Sequence, residues 1–528
     1  MNSLKIVVFL VISLLLITLF GCSGKTTETT ENDNEKEEVT NQGGELKIAY
    51  ASQPPSLDPH ISGAGATIDP TMGLIFETLL TLDSEYSPEP MLAESYEQSD
   101  DGKTITFHLR KGVLFHNGKE MTSEDVVASM NRWKDEVGSG GQFTEATFEA
   151  ADDYTVVLKL PEPLSVAFDR LASSGAGYAA IMPKEVIEGA GETGVEEIIG
   201  TGPYQFNEWK RDQHIHLTRF DDYQARSEPA DGLAGKKEAL LDDIYFQFVP
   251  DSQTRLAGMM SGEYDMVWQL PYAGDDQLES DPDIQVTPYS AASLNVYFNK
   301  KEGLFQDVNA RKAVATALNM DDILAATFSN PEDYTLDHTM MMSHLSKQWY
   351  SDIGKENYNQ NDLEKAKQLL SETDYNGEEI VFVVDRDFEI HYNTGVVIQD
   401  QLEKIGMNIK LEVYDWPTAL EKHRDENAYD MFVIGDIVVP EPSSNLYLLE
   451  DYPGWTNSPE LKEIISEFRS QTSREAAQEA YDDLQTWFWD YMPVVKVGDY
   501  KLRNAAHTKV KNIQFNNRPV LWNVSISE

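Results

Sequence analysis

From Glu45 onward, strand-like and helix-like periodicities alternate along the chain without an internal repeat. Over Thr104–Arg110, Ile105, Phe107 and Leu109 fall on one face and Thr104, Thr106, His108 and Arg110 on the other, predicting a half-buried strand. Ser123–Trp133 then shifts to helical spacing, with Val126, Val127, Met130 and Trp133 on one side and acids in the first turn. Ile244, Phe246 and Phe248 alternate in another strand. Ser458-Pro459-Glu460 reads as an N-cap, a proline at the first helical position and an acid behind it, opening a helix whose core face is Leu461, Ile464, Ile465 and Phe468. A second helix is predicted from about Ser473 to Tyr491, stopped by Pro493.

Residues 380–436 are the most informative. Ile380–Val384 is a continuous apolar run, followed by a helical stretch carrying Val397, Ile398, Leu402 and Ile405 and closed by Gly406. Ile409, Leu411 and Val413 alternate as a strand, a short helix follows Pro417, and Met431–Ile434 is a further apolar run. The pattern is β-α-β-α-β. Right-handed crossovers make such strands parallel and bring their C-terminal ends to one edge, outside which ligands of open α/β sheets bind. Just past the three ends stand Asp385-Arg386, Asp415-Trp416 and Gly435-Asp436. A cation, a flat aromatic and an anion suit a zwitterion, with Arg386 for a carboxylate, Asp436 for an ammonium and Trp416 as an apolar wall. The alternative is that each merely decorates a loop.

The N-terminus changes the picture from a free globule to an anchored one. Ile6–Phe20 is apolar apart from Ser13 and Thr18, follows Lys5, and has the length of a signal-peptide core rather than of a membrane span. It ends at Leu19-Phe20-Gly21-Cys22, which resembles the lipobox of bacterial lipoproteins, although Phe20 is bulkier than usual there. That resemblance implies a signal peptide over 1–21 and an acylated Cys22, whose thiol takes diacylglycerol. Lys25–Gly44 is polar and without aromatic residues, so 22–44 is expected to be a disordered tether.

Composition then narrows the function. In 528 residues, 42 Lys+Arg face 90 Asp+Glu, a formal net charge of −48. Such a chain repels phosphate backbones and anionic lipid, which argues against nucleic-acid partners and against any membrane contact besides the N-terminal lipid. With one cysteine, no internal disulfide or multi-cysteine metal site is available. Gly189-Ala190-Gly191-Glu192-Thr193-Gly194 matches GxGxxG but follows a helical stretch instead of a strand, so a surface loop is expected. His214 and His216 share one strand face, where exposed polar positions explain them better than a metal pair. His338 and His344 flank Met340–Met342, which reads as an apolar patch in a long loop rather than a soft-metal site. HExxH and GxSxG are absent from the sequence.

One resemblance spans the chain from Gly44 to its end. Ala93-Glu94-Ser95-Tyr96, Ser99–Phe107, His108–Val113, Phe115–Glu120 and Thr122–Val126 resemble the signature block of the family 5 extracellular solute-binding proteins, the peptide, nickel and oligosaccharide receptors of ABC importers. Gly200-Thr201-Gly202-Pro203-Tyr204, Pro250-Asp251 with Thr254–Leu256 and Ser261–Asp265, and Asn299, Asp307-Val308, Arg311–Ala313 and Ala317-Leu318 follow in family order. The resemblance implies an α/β, two-lobed periplasmic-binding-protein-like clamshell of class II. Lobe I would cover 45–285 and 495–528 with an extra subdomain near 61–175, and lobe II would cover 290–490. It implies no catalytic residue, no metal and no cofactor. A peptide, of two or three residues or longer, would be held by Arg386, Trp416, Gly435 and Asp436 and passed to an ABC permease. The receptor would be a monomer, lipid-anchored on the outer face of a Gram-positive cell membrane. A nickel chelate or an oligosaccharide is the alternative ligand, and His391 beside Arg386 keeps the chelate open. A secreted hydrolase or a sensory peptide receptor is the alternative role. Ile437–Pro442 departs from the family's usual loop and puts the position of Asp436 in question.

Overall fold

The computed structural model describes residues 43–137, 142–191, 193–270, 276–328, 330–343 and 347–527. The leader, Cys22, most of the tether and His344 lie outside the described residues. Eleven described strands form one continuous sheet. Ten of them follow the order Asn408–Tyr414, Glu379–Asp385, Met431–Ile437, Ile284–Phe298, Val494–His507, Met266–Val267, Glu45–Tyr50, Asp243–Phe248, His214–Arg219 and Tyr204–Lys210. The eleventh, Tyr334–Thr335, pairs with Val494–His507.

Two long antiparallel strands at the centre, Ile284–Phe298 and Val494–His507, carry the sheet from one half of the molecule to the other. In one half, Met266–Val267 pairs with Ala505–Ala506. In the other, Ala292–Phe298 pairs with Met431–Ile437. Register shifts interrupt the central pair between Ser290 and Ala292 and between Leu294 and Asn295. A separate four-stranded antiparallel sheet, in the order Ala93–Gln98, Thr104–Leu109, Thr155–Lys159 and Thr147–Asp152, packs on helix Ser123–Glu136.

The β-α-β-α-β reading holds. Glu379–Asp385 pairs in parallel with both Asn408–Tyr414 and Met431–Ile437, with helices Glu389–Glu403 and Trp416–His423 as the connections. Gly395 lets the first helix sit close to the sheet, since a Cβ there would come within 2.5 Å of Val384. Val413 alternates as expected yet is exposed, because its strand is the sheet edge and lacks a neighbour on one side. The caps read from sequence form as well: Ser458 Oγ accepts from Leu461 N at 3.2 Å and Ser473 Oγ from Ala476 N at 3.2 Å.

Candidate functional site

Asp436 lies where Met431–Ile437 meets the central strands, opposite Ser293, which in turn is opposite Asp499. A strand's side chains on one face recur every second residue, so Ser293, Asn295 and Tyr297 all face the side of Asp436. Asn295 Nδ2 donates to Asp436 Oδ2 at 2.7 Å, and the Tyr297 hydroxyl lies 2.9 and 2.8 Å from its two oxygens. Both partners are neutral, and no cation pairs with Asp436 among the described residues. Burial pushes its carboxyl up to about 6, against the opposing pull of these two hydrogen bonds. The side chain still keeps part of its surface accessible. Asn295 Oδ1 beside it is a buried acceptor without a partner.

Gly435 has two structural tasks. A Cβ there would collide with the Tyr500 hydroxyl, and its N–H donates to His391 Nε2 at 3.2 Å. Accepting at Nε2 places the imidazole proton on Nδ1, which donates to Asp385 Oδ2 at 2.6 Å. Both ring nitrogens of His391 are therefore engaged, so it is not poised to ligate a metal. Gly435→Ala is expected to destabilise the protein by about 1–3 kcal/mol through overpacking against Tyr500, read as a lower thermal midpoint.

The other two sequence-predicted residues sit nearer the surface. The Arg386 side chain is 64% exposed and lies 3.9 Å from Asp415 Oδ2, a loose pair. Trp416 N donates to Asp387 Oδ2 at 2.8 Å, while its indole packs edge-on to Phe388 at 5.1 Å and lies 5.9 Å from His391. Contacts thus run from Trp416 through His391 to Gly435 and Asp436. Arg386 stands at its own strand end and bonds to none of these four.

Several residues near Asp436 escaped the sequence reading. Lys496 Nζ lies 2.8 Å from Asp499 and 3.5 Å from Asp337, and it donates to the carbonyls of Thr339 and Met341. Burial, opposed by Lys496, pushes Asp499 up to about 8. The polar positions Ser293, Asn295 and Tyr297, alternating with Leu294 and Val296, were a usable signal for the strand face beneath Asp436. Nothing in the local sequence pointed to Lys496.

Met341 and Met342 line a small cavity of about 30 Å³ together with Val438, Val439 and Pro440. Its opposite wall is formed by Leu82, Tyr86 and Ser173–Gly175. The segment after Asp436 that departs from the family pattern is thus a wall of a cleft. At its far end, wholly buried Glu441 meets Arg170 at 3.5 Å. Arg474 meets Asp169 at 3.2 Å, and Ser165 bonds through N and Oγ to the carbonyls of Arg469 and Phe468 at 2.9 and 2.8 Å.

The histidine pair is built differently from the exposed positions expected. His216 is buried, stacks on Tyr245 at 4.1 Å, and engages Asn207 and Asp243 at 2.7 and 2.6 Å. Cross-strand pairing opposite Tyr245 covers the ring. His214 meets Glu208 at 3.2 Å. His338 is buried against the Ser351 carbonyl at 3.0 Å.

Comparison with known proteins places this geometry in context. The model for "Bacterial extracellular solute-binding proteins, family 5 Middle" matches residues 87–457. A probable peptide ABC transporter periplasmic-binding protein, y4tO, of Sinorhizobium fredii is 28% identical over 499 residues, 89% of this chain and 91% of the relative. The oligopeptide-binding protein AppA of Bacillus subtilis is 27% identical over 512 residues, 90% of this chain and 89% of AppA. Among solved structures, AppA of Bacillus subtilis in complex with a nonapeptide superposes with a TM-score of 0.74 at 22% identity, covering 93% of this chain and 100% of that one. The substrate-binding protein CtaP of Listeria monocytogenes does so at 0.79 and 23%, covering 92% and 100%. These neighbours share the two-lobed α/β fold.

Proposed function

This chain belongs to family 5 of the bacterial extracellular solute-binding proteins, and from that premise we propose that it captures a peptide by its free amino terminus and delivers it to an ABC permease. The observation that carries this reading is Asp436, a carboxylate held by two neutral hydrogen-bond donors and left without a cation among the described residues. A ligand ammonium supplies the missing charge and has donors to spare for Asn295 Oδ1. The names of y4tO and AppA support a peptide as the ligand. Closure of the two lobes around it expels water, which strengthens the ion pair.

The remaining parts of the proposal follow from the sequence. Cys22 carries the lipid and 22–44 is the tether, with the body outside a Gram-positive cell. Lobe I takes 45–285 and 495–528, with its extra subdomain at 61–175, and lobe II takes 290–490. Arg386 and Trp416 meet the far end of a short ligand. Because Arg386 is exposed, its loss is expected to weaken dipeptide binding by less than about tenfold.

The test is calorimetry of a dipeptide and of its N-acetylated form between pH 4.5 and 8. Asp436 must be ionised to pair with an ammonium, and its carboxyl titrates near 6. The affinity is therefore expected to be level above that pH and to fall about tenfold per unit below it. The acetylated peptide is expected to bind at least about tenfold more weakly throughout. Equal binding of the two peptides would overturn the reading.

A further inference from the structure

We propose that Asp337, Lys496 and Asp499 form a proton-holding latch that ties the loop 337–343, and with it Met341 and Met342, to the central strand, and that losing the shared proton frees the loop. The inference concerns the unliganded protein and does not rest on the reading of Asp436.

Geometry comes first. Lys496 and Asp499 stand three residues apart on the central strand Val494–His507, and Asp337 follows the short strand Tyr334–Thr335 that pairs with it. All three side chains are at most 3% exposed. Lys496 has three N–H donors. One meets Asp499 at 2.8 Å and the other two reach the carbonyls of Thr339 and Met341 at 2.9 and 3.2 Å, with Asp337 at 3.5 Å. Asp337 accepts from Thr339 N and Oγ1 at 3.0 and 2.8 Å and from Ser343 N at 2.7 Å. Gln485 adds one further tie, accepting from Met340 N at 3.1 Å.

Charge comes second. Two carboxyl groups face one ammonium, and they hydrogen-bond each other. Carboxylate oxygens only accept, so that contact requires a proton between them. Burial, opposed by Lys496, pushes Asp499 up to about 8. At Asp337 burial also acts upward, but Lys496 and the bonds from Asp499, Thr339 and Ser343 outweigh it and hold the group well below the ordinary range. The proton therefore sits on Asp499, whose Oδ1 also accepts from Ser293 Oγ at 2.5 Å. The other groups facing the pair keep their charge from pH 6.5 to 9.5. Burial raises Tyr358, Tyr447 and Tyr481 and lowers His338, a hydrogen bond to Asp352 raises Tyr350, and Asp436 titrates near 6.

Without the proton, two buried anions share one cation, and the cost is relieved when the loop lifts and admits water. Met340, Met341 and Met342, 4%, 4% and 5% exposed in the closed loop, then meet solvent. In the open loop Asp499 returns to its ordinary value of 3.8. Between that value and about 8 the closed loop holds one more proton than the open one. Opening therefore grows about tenfold per unit as pH rises, and levels off above about 8.

The experiment is oxidation of the full extracellular chain by hydrogen peroxide at pH 6.5, 8 and 9.5, without ligand, with sulfoxide at each methionine counted by peptide mass spectrometry. Each thioether takes one oxygen atom from peroxide and water leaves. Met260, 51% exposed on helix Ser252–Ser261, corrects for the intrinsic rate. Relative to Met260, oxidation of Met341 and Met342 is expected to rise by about tenfold or more from pH 6.5 to 8 and by less than about threefold from there to 9.5. Asp499→Asn keeps the shape of the protonated group, and its rates are expected to stay low and within about twofold across the range. Asp337→Asn removes the anion that faces Asp499, so the rise from pH 6.5 to 8 is expected to shrink below about threefold. A parent whose relative rates do not change with pH would overturn the latch. So would an Asp499→Asn profile that rises as the parent's does, or an Asp337→Asn profile identical to the parent's.

Discussion

Asp436→Asn is expected to weaken binding of a free-amine peptide by about thirtyfold or more while raising the thermal midpoint of the unliganded protein. The two effects have one cause. A buried carboxylate whose titration is pushed up to about 6 binds protons in the folded state that it sheds when unfolded. Between the unfolded value near 3.8 and about 6 the folded state holds more protons, so stability falls as pH rises through that window and the loss persists above it. An amide of the same shape removes that cost and keeps the hydrogen-bonding contact with Tyr297 and Asn295. It cannot neutralise an ammonium, and truncating one member of a buried charged pair costs about 2–5 kcal/mol, a factor of thirty or more in affinity. Differential scanning calorimetry without ligand and titration with Leu-Ala read the two halves. A variant that is no more stable and binds as the parent does would remove Asp436 from the site.

Glu441→Ala is expected to weaken peptide binding by at least about tenfold without unfolding either lobe. Glu441 is wholly buried, accepts from Ser443 N and Oγ at 2.7 and 2.6 Å, and faces Arg170 across the cleft at 3.5 Å. Arg469 donates to Ser443 Oγ at 2.9 Å, so two guanidinium groups share this corner with one carboxylate. Removing the carboxylate leaves Arg170 buried without its anion in the closed arrangement only, which raises the free energy of closing. Small-angle scattering at saturating peptide is expected to show a larger radius of gyration than for the parent. An unchanged affinity and radius would assign closure to other contacts. The exposed pair Lys347–Glu85, 2.6 Å apart, is expected to matter far less, because solvent screens it.

The parts of the fold that were legible were those set by local patterns. The Ser458 and Ser473 caps, the helix at 123 and the parallel unit from 379 to 437 all follow from spacing within a few residues. The candidate site was legible only where it uses strand ends, since residues just past an apolar run must emerge at the sheet edge. Arg386 was named on that ground, but its exposure depends on how far its side chain reaches beyond the edge, and no local pattern encodes that. His216 went the other way: its alternation marked it as polar and outward, while cross-strand stacking on Tyr245 buried it.

By itself, then, the sequence determined the α/β class, the family and the location of Asp436 at a strand end. Each of these is a property of residue type and short-range order. Tertiary structure alone decided the chemistry at that carboxylate. Asn295 and Tyr297 lie some 140 positions away and reach Asp436 only through pairing of two antiparallel strands. Met341, Val439 and Leu82, far apart along the chain, line one cavity only in the folded protein. A pKa, a missing counter-charge and a cavity are all sums over neighbours in space, and those neighbours are chosen by strand register and lobe contact rather than by distance along the chain.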